Sequence, residues 1–486
     1  MSTHRNEKLK TATLAVLTAA ALIISITVPL FSSAQVGPVA PATSASAAIP
    51  STPMPAASPK AADKNAGLAP SPQDALLKRG EYLARAGDCI SCHTRPQGAP
   101  FAGGLAMNTP FGAIVSTNIT PDPEQGIGQY TQEDFTRALR EGKAKDGHHL
   151  YPAMPYTNFA RLTDDDLGAM YAYFMKGVQP VKQDNAKTNL PWPFSMRWLM
   201  AGWNKIYLKG KIYEPEPAQT AEWNRGAYLV QGLGHCGACH TPRSALGGEK
   251  AATHEKGDLF LSGTIIDGWY AQPLRNTEEP GLATWSKQEI VEYLKTGRTN
   301  RTAAFGAMTE VVANSTQHLS REDLGAIATY LKSLGDNPGA TTPVATNPND
   351  ITSAALRQGT VTQRGAMVYL NNCNACHRSD GQGAQRTFPT LAMSSTVAAK
   401  DPTSLIRIVL QGSTMAHTTE SPSQLAMPGF GWRLTDDNVA DVVSFIRSSW
   451  GNKAEAVSAS AVGKVRSDVA KADKSAAAAA KPEPKP

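Results

Sequence analysis

The chain has 486 residues, a soft prior of about three domains. Hydrophobic residues make up 41% and charged ones 18%, which excludes both a disordered chain and a polytopic membrane protein. The formal net charge is only +6, and no long Lys/Arg stripe runs through the body, so no nucleic acid is expected as a partner.

Residues 1–34 open with Arg5, Lys8 and Lys10 against a single Glu7, followed by 21 uncharged residues from Thr11 to Phe31. A basic flank before an apolar run directs the following chain across the cytoplasmic membrane. Ser32-Ser33-Ala34 suits a cleaved signal peptide, and the apolar length also suits a retained anchor. Either way the body is expected outside the cytoplasm. Residues 35–72, rich in Pro, Ala and Ser, read as an extended tether.

From residue 73 the chain repeats itself three times, over 73–180, 216–336 and 355–450. Each unit opens on a short helical stretch: Gly80-Glu-Tyr-Leu, Gly226-Ala-Tyr-Leu and Gly365-Ala-Met-Val-Tyr-Leu. A C-x-x-C-H motif follows within ten residues: Cys89, Cys92 and His93; Cys236, Cys239 and His240; Cys373, Cys376 and His377. Next comes a helix ending on glycine, over Thr131 to Gly142, Ser286 to Gly297 and Asp401 to Gly412. A loop methionine stands eleven to fifteen residues beyond that glycine: Met154, Met308 and Met427. Each unit closes with a helix capped by Thr163, Ser320 or Thr435. Its apolar positions recur at i, i+3, i+4 and i+7, as in Val439, Val442, Val443 and Ile446. No strand-like alternation competes, so the expected fold is all-α: three small tandem domains, one around each motif.

The connectors differ. Residues 181–215 hold Trp192, Trp198 and Trp203, which read either as a crossover packed against the first two domains or as a docking strip for a partner or the membrane interface. Residues 337–354 read as a plain linker. The Ala/Lys/Pro tail, 451–486, has few large apolar groups and is expected to be disordered.

In C-x-x-C-H the two thiols can bond the vinyl groups of haem, and the adjoining His is held beneath the iron as proximal ligand. All six cysteines belong to these motifs. Zinc built from C-x-x-C needs two pairs per metal or additional His, and a thioredoxin-like site needs a βαβ context. Three haem c groups are therefore expected. Cys89, Cys92, Cys236, Cys239, Cys373 and Cys376 would attach them, with His93, His240 and His377 proximal and Met154, Met308 and Met427 distal. With both axial positions filled, such a device passes single electrons and has no catalytic residues of its own; a haem peroxidase would need an open distal position.

Position within the repeat is what singles out the methionines, since a Met is more often core filler than a ligand. His148 and His149 compete at the first site, His318 at the second, and Met415 or His417 at the third. His235, tied to the loop before Cys236, cannot cross the ring. Gly232-Leu-Gly234-His-Cys-Gly237 matches a dinucleotide fingerprint only formally, because it overlaps a haem motif and follows no strand. Arg161, Arg243 and Arg275 could pair with haem propionates.

Several stretches are more specific than generic cytochrome c: Gly87-Asp-Cys-Ile-Ser-Cys-His-Thr94, Ser116-Thr-Asn-Ile-Thr-Pro-Asp122, Tyr151-Pro-Ala-Met-Pro-Tyr156, Gly234-His-Cys-Gly-Ala-Cys-His-Thr-Pro-Arg243 and Ser315-Thr-Gln-His318. From about Ala75 to Trp450 the chain resembles the triheme cytochrome c subunit of membrane-bound dehydrogenases of acetic acid bacteria and relatives. The resemblance implies a separate catalytic subunit (quinoprotein, flavoprotein or molybdenum protein) that oxidises an alcohol, aldehyde, sugar or sugar acid, and possibly a small subunit. Electrons would pass through the haems to ubiquinone in the cytoplasmic membrane. The tail lacks the Trp/Met/Tyr-rich segment of the alcohol dehydrogenase pattern, and the N-terminal run and tether are unusually long. This counts against an alcohol dehydrogenase partner and leaves aldehyde, fructose or gluconate types open. A stand-alone periplasmic carrier feeding a terminal oxidase is the alternative.

Overall fold

The structure, a computed structural model, describes residues 71–276, 281–335 and 350–479; the N-terminal apolar run, the tether and most of the linker lie outside them. The described residues belong to one compact unit. Among them, no helix is long and apolar enough to cross a membrane.

Each repeat is built on two crossing helices. The opening helices are Pro72–Ala86, Ala221–Tyr228 and Arg364–Asn372, and the closing ones are Asp164–Lys176, Arg321–Lys332 and Asp436–Ser448. The closing helices start where the caps predict. The Thr163, Ser320 and Thr435 side chains each accept from the backbone N–H three residues on, at 3.2 Å, satisfying one of the donors a helix start leaves free. Their apolar stripes are buried, with Leu167, Leu324, Val439, Val442 and Val443 fully enclosed.

The glycine that opens each repeat marks the crossing. A Cβ on Gly80 would stand 2.1 Å from the carbonyl oxygen of Ala169, on Gly226 2.0 Å from that of Ala326, and on Gly365 2.2 Å from that of Asp441. The two backbones approach so closely that no side chain fits between them.

A third helix completes each repeat: Gln132–Glu141, Lys287–Thr296 and Thr403–Gln411. These end on Gly142, Gly297 and Gly412, all at positive φ, where a residue without Cβ is favoured.

Two sequence expectations need correcting. The fold is not purely α: antiparallel hairpins pair 106–109 with 112–115, 264–266 with 269–271, and 412–414 with 426–428. Strands of three or four residues are too short for an alternation to register. The tail is not disordered throughout: Ala459–Ala479 is a helix. Alanine is the strongest helix former, and Val462 and Val465 bury against the third repeat. Arg466 fixes the helix by donating to Asp436 and to the Gly431 and Leu434 carbonyls.

The three repeats are not equivalent neighbours. The first two share one continuous apolar core running from Leu83 to Leu334, whereas the third has its own, from Leu356 to Val465. The third meets the second through a small apolar cluster, Ala416 against Ala304 and Val312, and through polar contacts. Arg407 stacks 4.6 Å from the Trp269 ring centroid and donates to Asp267 O, Tyr270 N–H donates to Ser404 Oγ, and Arg386 pairs with Glu292.

Candidate haem sites

Each motif histidine is oriented in the same way. His93 Nδ1 meets the Thr117 carbonyl at 2.7 Å, His240 Nδ1 the Gln272 carbonyl at 2.7 Å, and His377 Nδ1 the Pro389 carbonyl at 2.9 Å. A carbonyl only accepts, so Nδ1 carries the proton and Nε2 is left as a free lone pair, the state of a metal-binding imidazole. Burial lowers the pKa of all three rings, against the pull of the carbonyl bond, and so keeps them neutral.

No two of the cysteines are joined in a disulfide. Burial pushes Cys89, Cys236 and Cys373 up to about 12, and Cys92 and Cys239 up to about 11. Among the described residues, the only grouping of three or more His, Cys, Asp or Glu able to hold a metal is Glu216, His254 and Glu255, away from every motif.

Cys89, Cys92, His93 and Met154 line one cavity of about 410 Å³, within the range of cofactor sites, ~300–1,000 Å³. Its walls are apolar, from Ile114, Ile127, Phe135, Leu139 and Phe174 among others. His148 lines it too, with its Nδ1 2.5 Å from Asp146 Oδ1. The cavity does not stop at the repeat boundary: Cys239, Arg243 and Glu249 of the second repeat also line it. Buried Arg243 Nε and Glu249 Oε2 have no hydrogen-bond partner among the described residues. A largely apolar slot with an orphaned guanidinium N–H at its edge fits a porphyrin with carboxylate substituents.

The other methionines sit differently. Met308 is on the first turn of the helix Ala307–Asn314, packed with Tyr293, Ala304, Val312 and Ala416. Met427 lies on a hairpin strand opposite Ser413 and against the third core. Of their rivals, His417 Nδ1 is bonded to the Pro422 carbonyl and Met415 is buried.

The family model for cytochrome c matches residues 77–177 and 362–450. The chain is 50% identical over 400 residues to the gluconate 2-dehydrogenase cytochrome c subunit of Pantoea cypripedii, covering 81% of this chain and 90% of that protein. It is 49% identical over 407 residues to the cytochrome c subunit of the quinone alcohol dehydrogenase of Gluconobacter oxydans (81% and 82% covered). It is 39% identical over 409 residues to the fructose dehydrogenase cytochrome subunit of Gluconobacter japonicus (80% and 82% covered).

The chain belongs to this family of dehydrogenase cytochrome c subunits. Like its relatives, the cytochrome subunit carries electrons within a dehydrogenase complex and has no catalytic activity of its own. It carries covalent haem c.

Some residues of the cytochrome subunit escaped sequence reasoning. His235 is half-buried and reaches out of its own repeat: its Nε2 lies 3.3 Å from the Gly87 carbonyl, its ring stacks edge-on to Phe159, and it lines the first cavity. Burial of Glu249 raises its carboxyl to about 7, with Arg243 pulling the other way. Neither has a signal in the sequence, since both matter only through the contact between repeats. Of the three arginines considered for propionates, Arg243 lines the cavity, Arg161 has an orphaned buried Nε, and Arg275 is taken by Asp258 and the Phe260 carbonyl.

Proposed function

We propose that the cytochrome subunit holds three covalent haems c, one per repeat, and relays electrons from a periplasmic catalytic dehydrogenase subunit to ubiquinone in the cytoplasmic membrane. The observation that carries the count is the histidine geometry. The same Nδ1-to-carbonyl bond recurs beside all three C-x-x-C-H motifs, including the second, which lies between the two stretches matched by the family model.

In this reading Cys89 and Cys92, Cys236 and Cys239, and Cys373 and Cys376 attach the groups. His93, His240 and His377 ligate from one side, and Met154, Met308 and Met427 from the other. A haem bound in each repeat supplies a one-electron couple. The protein's part is to exclude water with its apolar walls, hold each imidazole neutral and aimed, and bring Cys239 of the second site to the wall of the first cavity. The cavity that reaches Cys92 and Cys239 favours electron passage between the first two repeats. The apolar N-terminal run and the names of the quinone-linked relatives support the periplasmic face and ubiquinone as acceptor.

The test is intact-mass spectrometry of the exported protein together with purification from solubilised membranes. Three haem additions, falling to two in Cys239→Ala, and a co-purifying dehydrogenase subunit that reduces the haems on substrate addition are expected. Two haem additions, or a fully loaded protein that never co-purifies with a dehydrogenase, would overturn the reading.

A further inference from the structure

The segment 191–213 between the first two repeats divides its tryptophans. Trp203 is buried and its Nε1 donates to the Leu246 carbonyl at 2.9 Å. Trp192 and Trp198 are 78% and 67% exposed, unusual for the largest apolar side chain. The exposure does not come from a loose end. Tyr156 Oη donates to Asn204 Oδ1 at 2.8 Å, and Tyr207 Oη and Ser244 Oγ are 2.7 Å apart. The helix Leu199–Tyr207 is therefore pinned from beneath, against both neighbouring repeats.

Its outer face is amphipathic in a particular way. Trp198, Ala201, Gly202, Lys205 and Ile206 are all exposed and follow helical spacing. Lys209, Lys211 and Ile212, just beyond the helix, are exposed as well. The whole segment carries Arg197, Lys205, Lys209 and Lys211 and not one carboxylate. Arg197 is engaged inward, 4.3 Å over the Tyr151 ring and donating to the His149 carbonyl, which leaves the three lysines facing out. Glu141, whose carbonyl bonds Asn204, has its own carboxylate on Lys143.

We propose that this face lies against an anionic lipid surface, with the tryptophan rings at headgroup depth and the lysines reaching the lipid phosphates. Aromatic rings interleaved with cations and free of acids match the charge and polarity gradient of a bilayer interface. The proposal rests on the membrane reading above and adds an orientation to it. Arg197 and Trp203 line the cavity that holds His93 and Met154, so the first haem site is the one turned toward the quinone pool.

The experiment uses the full, haem-loaded chain with a spin label at Ile206→Cys and, as control, at Ile351→Cys, an 87% exposed position on the helix Ile351–Gln358 that leads into the third repeat. Accessibility to a water-soluble nickel relaxant is read with vesicles containing phosphatidylglycerol and with vesicles of phosphatidylcholine alone. Protection at 206 but not at 351, only on the anionic vesicles, is expected. The Lys205→Gln, Lys209→Gln, Lys211→Gln variant should lose it, since three surface cations contribute roughly a hundredfold in anionic-lipid affinity. Equal accessibility at both positions overturns the proposal. So does protection at 206 that appears only when the catalytic subunit is added, which would make the strip a protein-docking face. Ubiquinone reduction by the pre-reduced haems is followed in the same samples. Reduction with an unprotected label overturns the orientation and leaves the relay intact, whereas a protected label without reduction supports the orientation and counts against the relay.

Discussion

Tyr82 and Asp323 stand on different repeats, and the Tyr82 hydroxyl donates to Asp323 Oδ2 at 2.6 Å. The bond is reciprocated: Tyr228 of the second repeat donates to Asp166 of the first at 2.5 Å. Each aspartate also takes an arginine from its own repeat's opening helix, Arg225 at 2.7 Å on Asp323 and Arg79 at 2.7 Å on Asp166. The arrangement follows from sequence: Arg79-Gly-Glu-Tyr82 and Arg225-Gly-Ala-Tyr228 put one residue on the home aspartate and one on the neighbour's. Each tyrosine hydroxyl then accepts from the neighbour's N-cap residue, Ser320 N–H for Tyr82 and Thr163 N–H for Tyr228. Tyr82→Phe and Tyr228→Phe should each cost about 1.5–3 kcal/mol, the range for a hydrogen bond to a charged group. Urea unfolding of the holoprotein measures it.

The same pair predicts a pH dependence. Burial pushes the Asp323 carboxyl up, but the bonds from Arg225 and Tyr82 outweigh it and hold it below the usual carboxylate range. The folded chain thus binds this proton less readily than the unfolded one. The stability it contributes is complete above the unfolded carboxylate value of about 4 and is lost as pH falls through the lower folded value. Asp323→Asn should lower the urea midpoint at neutral pH and flatten its fall below about pH 4. An acid limb unchanged by the substitution would show that other carboxylates govern it.

Two glycines of the second repeat should respond to alanine with opposite signs. At Gly226 the new Cβ would lie 2.0 Å from the Ala326 carbonyl oxygen, and the backbone on both sides must move. At Gly325, on the partner helix, the nearest atom is the flexible end of Glu222 at 3.8 Å. Gly226→Ala should cost about 3 kcal/mol, the upper part of the usual overpacking range. Gly325→Ala should gain about 0.5–1 kcal/mol from helix propensity. Unfolding midpoints of the two variants, measured side by side, decide the matter.

The division of the core predicts two unfolding units. The first two repeats share one apolar cluster and the third has its own, joined to the second by a small apolar cluster and polar contacts. Calorimetry of the holoprotein should resolve two transitions. Leu324→Ala should lower only the one belonging to the fused pair, and Ile446→Ala only the one belonging to the third repeat, each by about 2–5 kcal/mol. A single transition moved equally by both would mean that the seam couples the units fully.

What the sequence discloses and what it hides separate along the range of the interaction. The caps Thr163, Ser320 and Thr435 and the terminators Gly142, Gly297 and Gly412 act within a few residues of themselves, and the structure has them in the expected roles. The hairpins escape because a pair such as Ser413 and Met427 is held by register across a turn rather than by alternation. The C-terminal helix escapes because its burial rests on two valines in an alanine-rich run. Tyr82 and Asp323, or His235 and Gly87, are more than a hundred residues apart, so only the docking of one repeat on another makes them partners. The Trp-rich connector divides: Trp203 is packed, whereas Trp192 and Trp198 are exposed.

Arg243 offers a test of the shared cavity itself. It follows the second motif in sequence, yet it lines the cavity of His93 and Met154, with its other guanidinium nitrogens held by the Gly247 and Ala238 carbonyls. A fixed cation beside a redox group favours the state with the added electron. Arg243→Gln should therefore lower the potential of the first haem by an amount on the order of 1 kcal/mol per electron, given the dielectric of a partly buried site. Conversion to Lys should preserve most of it, because charge rather than fork geometry sets the field. A potentiometric titration followed by low-temperature electron paramagnetic resonance separates the haems, with His93 variants identifying the first. A shift confined to the second haem would mean that Arg243 serves its own repeat alone and that the cavity does not couple the two sites.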